Sequence, residues 1–290
     1  MRQRTTSSII FDSCNIIFMA LLFLIFTYPF IYIISYSFSE QSQISGGMIL
    51  WPRGFTLDAY MLVFSNPSTL SGLFISMART ISGPVIMVFF TSMAAYCLTR
   101  NDLAGVRFFR RFFVFTLYFS SGLIPYYLMI KTLHLSGSFL VYIIPSAISV
   151  FNMILIKTYI ESLPKELEES GFIDGANDIV IYWKIIFPIC TPVIAAVVLF
   201  EAVGHWNSFV DTQLYNSMNR KLFTLQYVLY QTLSATTTMQ GNHNNTHSRV
   251  VSPQSLKMAI TIITVIPITF VYPFLQRHFA KGLLIGSVKG

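Results

Sequence analysis

The chain has 290 residues, of which 54% are hydrophobic and 11% are charged. Soluble domains carry about 25% charged residues, so this composition excludes an ordinary soluble domain and indicates an integral membrane protein. The net charge of +7 fits basic loops beside a membrane and contact with anionic lipids, and it does not indicate a nucleic-acid partner.

Six stretches of the sequence are apolar over the length that a membrane helix needs, about 20 residues. We predict such helices at residues 14–36, 81–98, 108–130, 139–159, 187–203 and 256–275. Their apolar residues lack the alternation that is typical of strands. The sequence therefore predicts an all-α, polytopic membrane protein with six transmembrane helices, in which residues 1–290 form a single domain.

The distribution of lysine and arginine predicts which loops face the cytoplasm. If the amino terminus lies inside, most of these residues fall in the inner loops and tails, as the positive-inside rule requires. Both termini are then cytoplasmic, and so is the polar stretch between the fourth and fifth spans. Arg79 lies near the outer end of the second span, where we expect its long side chain to reach the lipid headgroups. The alternative is a charge inside the apolar helix with a functional role.

An acidic stretch between the fourth and fifth spans is unlike the rest of the chain. Its carboxylates belong to Glu166, Glu168, Glu169, Asp174 and Asp178. Lipid would not tolerate such a cluster, so water or a partner protein must contact it. We predict two short helices joined by a turn, because Gly175 readily takes the left-handed conformation that ends a helix and Asn177 can cap the next one. We call residues 161–187 the acidic hairpin.

Several polar and aromatic side chains in or beside the spans are candidates for a substrate path. They are Tyr126, Tyr127, Asn152, Glu201, His205, Trp206 and Asn207. Aromatic rings and paired polar groups suit sugars, which have apolar faces and hydroxyl edges. Two alternatives stay open. Asn152 can form a hydrogen bond between helices, and the fifth helix can end at Val203, which would leave the residues beyond it in water.

The longest hydrophilic stretch covers residues 206–255, on the outer side of the membrane. Its segment at residues 232–248 is rich in threonine and asparagine and predicts a mobile loop. His243 and His247 have the spacing of a helical metal pair, but no helix is predicted there and no third ligand is adjacent. We therefore expect no metal site in this chain.

The acidic hairpin also carries a motif at fixed spacing. The motif positions are filled by Glu169, Ser170, Gly171, Gly175, Ile185, Phe187 and Pro188. The motif resembles the cytoplasmic loop of permease subunits in bacterial binding-protein-dependent ABC importers, which begins Glu-Ala-Ala and ends Leu-Pro. Ser170 and Gly171 replace the two alanines, and Phe187 replaces the leucine. The run Asp174-Gly175-Ala176 is common in the sugar branch of that family.

The resemblance extends over most of the chain, through LWPRGFTLDAY, SGLIPYYL, HWNSF and KGLLIGSVKG. These stretches are similar to the carbohydrate-uptake branch, in particular to the six-helix subunit of the maltose importer and to permeases for complex oligosaccharides. The resemblance implies a type I importer fold, in which six transmembrane helices carry a cytoplasmic coupling-helix hairpin, and a place in the bacterial cytoplasmic membrane.

The resemblance also implies a function and a set of partners. The chain would be the permease subunit of an ATP-driven importer of sugars, together with a second permease of different sequence, two cytoplasmic ATPases and an extracytoplasmic solute-binding protein. The outer stretch at residues 206–255 would meet the binding protein. The residues implied in coupling to an ATPase are Glu166, Glu169, Ser170, Gly171, Asp174, Gly175 and Ala176.

No catalytic residue and no cofactor is expected in the chain itself. The run GLLIGSVKG lacks the spacing of a phosphate-binding loop, so ATP and Mg belong to the partner ATPases. Two other functions stay open. One is an importer for peptides or another solute with the same hairpin. The other is a membrane-embedded enzyme that uses Glu201 and His205 as acid and base, although no second carboxylate, metal set or nucleophile accompanies them.

Overall fold

The computed structural model describes the backbone of residues 6–44, 47, 49–239 and 251–287, and the side chains of residues 10–44, 47, 49–234 and 251–270. The chain forms two compact units. One consists of Met1–Pro67 with Gln231–Ile266, and the other of Ser68–Tyr230 with Pro267–Gly290.

The described residues are mainly helical. The α-helices are α1 Thr6–Ser37, α2 Asp58–Ser65, α3 Pro67–Thr99, α4 Val106–Tyr118, α5 Leu123–Thr132, α6 Val150–Glu161, α7 Glu166–Ile173, α8 Asp178–Ile181, α9 Phe187–Ile189, α10 Thr191–Asn207, α11 Val210–Tyr215, α12 Leu225–Met239 and α13 Pro253–Ser287. A π-helical segment, Tyr182–Ile186, joins α8 to α9. Short 3-10 turns cover Gln41–Gln43, Phe139–Tyr142, Ile144–Ser146 and Arg220–Leu222.

Three of the six predicted spans are single helices. The ranges Ile10–Ser37, Pro67–Thr99 and Pro253–Phe270 are each long and apolar enough to cross a membrane, which confirms the first, second and sixth predictions. The second helix begins well before the predicted residue 81, because the polar residues near its start do not interrupt it. Pro84 is also accommodated inside this helix.

The other three predicted spans are each formed by a bent pair of helical segments. Helices α4 and α5 meet at 118°, and the 3-10 turns before α6 meet that helix at 43°. The segment Asp178–Ile189, from α8 through α9, meets α10 at 78°. Gly122 precedes α5 at the first break with φ of 81°, a value that favours glycine. If each bent pair is one span, the described residues contain six spans.

The larger unit has its core between α3, α6, the π segment and α10. Met87 and Ala95 of α3, Ile156 of α6 and Val197 of α10 are almost fully buried together. The hydroxyl groups of Tyr182 in the π segment and Ser92 in α3 form a hydrogen bond of 2.6 Å. This apolar packing, with one internal polar contact, fixes α3 against the helices on both sides of the acidic hairpin.

The smaller unit is built around the carboxyl end of α1. Tyr36, Ile49 and Met258 form its buried cluster. Phe38 stacks on Phe55 and on Tyr60, with ring centroids 5.4 and 4.8 Å apart. These contacts fold the segment between α1 and α2 onto the end of α1.

The outer stretch at residues 206–255 contains more structure than its composition predicts. Helix α11, a 3-10 turn and α12 occupy much of it. Residues 232–239 of the threonine-rich segment continue α12, so the predicted loop is wrong for that part. His243 and His247 lie outside the described residues.

Candidate functional site

The larger unit contains an open cavity of about 280 Å³ with several charged and polar side chains in its lining. Its lining comes from α3, α5, the 3-10 turns before α6, α10 and α11. The lining residues are Arg79, Tyr126, Val141, Tyr142, Pro145, Ser146, Glu201, Gly204, His205, Ser208, Asp211 and Tyr215. We call this space the membrane cavity, because all of its lining elements except α11 belong to the bent and straight spans described above.

Arg79 is the central charge of the membrane cavity, and its side chain is only 2% exposed. The guanidinium donates to both carboxylate oxygens of Asp211 and, at 3.4 Å, to the carbonyl of Ser208. It also lies 4.5 Å from the ring centroid of Tyr142. A buried charge of this kind is tolerable only when it is paired. The prediction that Arg79 reaches the headgroups is wrong, because Asp211 neutralises it inside the protein.

His205 fills the next position along the cavity wall and is 5% exposed. Its Nδ1 faces Arg79 at 3.5 Å, and its Nε2 lies 3.3 Å from Ser146 and 3.5 Å from Glu201. Since arginine can only donate, Nδ1 accepts and the Nε2 hydrogen points toward Ser146 and Glu201. Gly83 makes room for this ring, because a Cβ atom there would lie 2.2 Å from Nε2.

Glu201 connects α10 to α6. Asn152, which is 4% exposed, donates to its Oε2 over a long 3.5 Å contact. The amide therefore forms the interhelical hydrogen bond that was one of the two expectations for Asn152. Glu201 itself keeps 19% of its side chain exposed toward the cavity.

The structure brings together some of the predicted path residues and separates others. Tyr126, Glu201 and His205 line the membrane cavity. Tyr127 lies behind it, stacked on Tyr215 with ring centroids 5.6 Å apart. Trp206 is 6% exposed and is not a lining residue, and Asn207 is the last residue of α10.

Helix α10 does not end at Val203 but continues to Asn207, so the alternative of an early helix end is wrong. Sequence reasoning missed Asp211, Tyr142 and Ser146 as cavity residues. Arg79 could have indicated an acidic partner such as Asp211, because a charge within an apolar helix requires a counter-charge nearby.

The acidic hairpin has the predicted conformation. Gly175 takes φ of +79°, and the amides of Gly175 and Ala176 close the end of α7 by donating to Phe172 and Gly171, each at 3.0 Å. Asn177 caps α8 by accepting from the amide of Val180 at 2.9 Å. The predicted helix, left-handed turn and capped second helix are confirmed.

Gly171, one of the two departures from the Glu-Ala-Ala pattern, lies under the second half of the acidic hairpin. A Cβ atom there would approach Ile181 at 3.0 Å and Ile185 at 3.1 Å. Glycine therefore lets α7 pack more closely on α8 and the π segment than a larger residue would.

The outer face of α7 and the turn is open. Glu166, Glu169, Ser170 and Asp174 are exposed, and so is Ile173, which is 86% exposed. Acidic groups around an exposed isoleucine form a compact surface that a partner protein can contact. Glu168 points the other way and pairs with Arg100. Burial acts to lower the pKa of Arg100, but Tyr96, Asp178 and Asp102 raise it above its ordinary value, so the guanidinium stays charged.

Known proteins similar to this chain share nearly its whole length. Protein LplC of Bacillus subtilis (strain 168) is 41% identical over 289 residues, which cover 99% of this chain and 98% of that protein. The polygalacturonan/rhamnogalacturonan transport system permease protein YtcP of the same strain is 40% identical over 283 residues, or 97% of this chain and 99% of that protein. The chain belongs to the permease subunits of carbohydrate ABC importers.

A solved structure supports the same fold for the permease. A chain in the crystal structure of a bacterial ABC transporter involved in the import of the acidic polysaccharide alginate matches 96% of this permease and 100% of its own length, with a TM-score of 0.86 and 28% identity. No protein-family model matches the chain.

Membership in this family decides several expectations. The permease is an integral membrane transport subunit and is not catalytic, as predicted. The alternative of a membrane enzyme that uses Glu201 and His205 is thus wrong. ABC importer permeases work with a partner permease, an ATPase and a substrate-binding protein.

Proposed function

We propose that this permease conducts an oligosaccharide, delivered by an extracytoplasmic binding protein, through the membrane cavity. The observation that carries the proposal is the cavity lining, where tyrosine rings stand beside hydroxyl, imidazole and carboxylate groups. Rings of this kind stack on the apolar faces of sugars, while the polar groups bond to hydroxyl edges. YtcP is named for polygalacturonan and rhamnogalacturonan transport, and the similar solved structure belongs to an alginate importer. Both relatives support a substrate with several sugar units.

Within this proposal the path residues have different roles. Tyr126, Glu201 and His205 face the cavity and would contact the sugar. Tyr127 and Asn152 support them through Tyr215 and Glu201. Trp206 and Asn207, at the end of α10, would flank the entrance.

The acidic hairpin is proposed to couple the permease to an ATPase. Its exposed residues Glu166, Glu169, Ser170 and Asp174 would contact the ATPase surface. Gly171, Gly175 and Ala176 would hold the two short helices in the conformation that docks. Two ATPase chains would bind ATP and Mg.

The remaining parts of the proposal concern the assembly. The second permease is a chain of different sequence, and both lie in the bacterial cytoplasmic membrane. Both termini and the acidic hairpin face the cytoplasm, and residues 206–255 face outward to meet the binding protein. The lysine and arginine distribution supports this orientation.

The experiment that tests the substrate uses the complete complex in lipid vesicles. ATP hydrolysis is measured with binding protein loaded with neutral oligosaccharides, with uronate-containing oligosaccharides, and with peptides as the control class. Stimulation by one class of oligosaccharide is the expected result and identifies the substrate class. Stimulation by peptides alone would reject the proposed sugar and favour the peptide importer.

A further inference from the structure

Arg100 is the first residue after α3, and its guanidinium contacts both helices of the acidic hairpin. It donates to Glu168 of α7 at 2.9 Å and lies 3.3 Å from Asp178, the first residue of α8. Asp102 lies 3.3 Å from its Nε. The guanidinium also stands over the ring of Phe172, 5.0 Å from the centroid. One side chain thus connects the end of α3 to two separate elements.

These contacts differ from an isolated surface ion pair. The Arg100 side chain is 21% exposed and Glu168 is 25% exposed, so both lose much of their solvent. The planar guanidinium has five donors in a fixed geometry, which allows several carboxylates and an aromatic face to be held at once. Such a contact fixes the orientation of the carboxylates relative to Arg100, in addition to attracting them.

The end of α3 is held from a second direction as well. Arg110 of α4 donates to the carbonyl of Leu98 at 2.7 Å and to that of Thr99 at 3.3 Å. These are among the last carbonyls of α3, which lack partners within the helix. The carboxyl end of α3 is therefore tied to α4, and Arg100 is the side chain that extends from it to the hairpin.

The same helix carries Arg79, which pairs with Asp211 in the wall of the membrane cavity. Helix α3 is continuous from Pro67 to Thr99, so Arg79 and Arg100 are separated by about 32 Å along one helix at 1.5 Å per residue. A displacement of its cytoplasmic end reaches the cavity without passing through a break, unlike in the three bent spans.

We propose that Arg100 is a positioning residue that clamps the acidic hairpin to α3, so that a movement of the hairpin becomes a movement of the cavity wall. The inference rests on the proposed coupling role of the hairpin and extends it to a residue outside the hairpin motif. Arg100 acts through Glu168 and Asp178 and contacts neither sugar nor nucleotide.

The first test measures the clamp directly and needs no sugar. Cysteines for spin labels replace Phe74 of α3 and Lys165 at the start of the hairpin, both exposed, in a chain whose native cysteines are replaced. In the complete complex, the distance between labels is measured without nucleotide and after vanadate trapping with ATP. We expect one narrow distribution in both states, and a wider or shifted one after trapping in the Arg100→Gln variant.

The second test measures coupling as sugar imported per ATP hydrolysed. In Arg100→Gln this ratio should fall about tenfold, within the usual range of coupling between two sites, while basal ATP hydrolysis persists. Arg100→Lys keeps the positive charge but loses the planar guanidinium with its several donors, so it should give an intermediate ratio of sugar imported per ATP. The matched control is Arg107→Gln, since Arg107 is exposed on α4 and makes no ion pair with a described residue.

The outcomes separate this inference from the proposed substrate. If no oligosaccharide stimulates the complex, the proposed sugar is rejected, and the label distances still decide the clamp. Unchanged, narrow distances in Arg100→Gln after trapping would overturn the inference. If Arg100→Gln does not assemble, Glu168→Gln replaces it, because it removes the closest partner and should widen the same distances.

Discussion

Arg79 and Asp211 show how a charge is placed inside a membrane protein. They are 132 residues apart in the sequence, and α11 brings Asp211 to the face of α3 that carries Arg79. The pair leaves no net charge at this point, although each ion alone would be costly to bury. Sequence reasoning identified Arg79 as a charge in an apolar helix but could not identify its partner, since no local pattern connects the two.

Removal of one member of this pair should be more harmful than removal of both. Asp211→Asn leaves the buried guanidinium without a counter-charge, so stability should fall by about 3 kcal/mol. The double change Arg79→Met with Asp211→Leu should recover most of that loss. Thermal unfolding of the purified permease in detergent measures both. Asp102→Asn is the control, because its carboxylate is 73% exposed and should contribute less than about 1 kcal/mol. An equal loss in the single and double variants would contradict this account.

Gly83 and Gly204 offer a matched pair of glycines beside His205. A methyl group at Gly83 would collide with the imidazole of His205, whereas one at Gly204 meets nothing within 4 Å. Gly83→Ala should therefore lower stability by about 1 to 3 kcal/mol, the usual cost of overpacking. Gly204→Ala should raise it by up to about 1 kcal/mol, because alanine is the better helix former. The thermal unfolding midpoints of the two variants test this difference in stability. Equal midpoints would show that His205 moves aside freely.

At the scale of elements, the parts predicted correctly are those whose determinants are local. In the acidic hairpin, Gly175 and Asn177 act within a few residues of themselves, so its turn and cap could be predicted. The angles and exact positions of the breaks in three spans could not. Apolar composition shows that a stretch can cross a membrane, but a bend near Gly122 or Pro145 depends on which neighbours receive the freed backbone groups.

Close packing within the hairpin leads to a prediction at this scale. Gly171→Val would press on Ile181 and Ile185, and it should tilt α7 away from the π segment. Thr158→Val is the control, because Thr158 is exposed on α6, outside the acidic hairpin. We expect Gly171→Val to lower stability by about 1 to 3 kcal/mol and to weaken co-purification with the ATPase. Similar co-purification of both variants would show that the side chains of the two isoleucines yield without moving α7.

At the scale of the whole molecule, the sequence predicted the class of protein better than the shape of its interior. Composition, six apolar stretches and one motif were enough for a six-span permease of the sugar branch, which the comparisons confirm. The membrane cavity draws on six separate elements. Tyr126, Glu201 and His205 were predicted from their chemistry, and the four-residue spacing of Glu201 and His205 indicates one helix face. No local pattern shows that Tyr126, on another helix, lines the same space.

The breaks in the spans differ in how their backbone groups are satisfied, and amide hydrogen exchange should report the difference. Near the fourth span, Thr91 of α3 accepts from the amide of Ser149 at 3.1 Å and lies 3.4 Å from the carbonyl of Ala147. At the third, the amide of Gly122 has only a 3.4 Å contact to Ser120, and both residues are exposed.

Deuterium should therefore enter the amide of Gly122 well before that of Ser149, although both interrupt membrane spans. Mass spectrometry of peptides from the deuterated permease measures the order, and Thr91→Val should accelerate exchange at Ser149 alone. Slow exchange at Gly122 would mean that lipid or a neighbouring chain seals that break. If exchange follows the expected order, the break before α6 is sealed inside the protein, whereas the break at Gly122 leaves its backbone amide accessible to water.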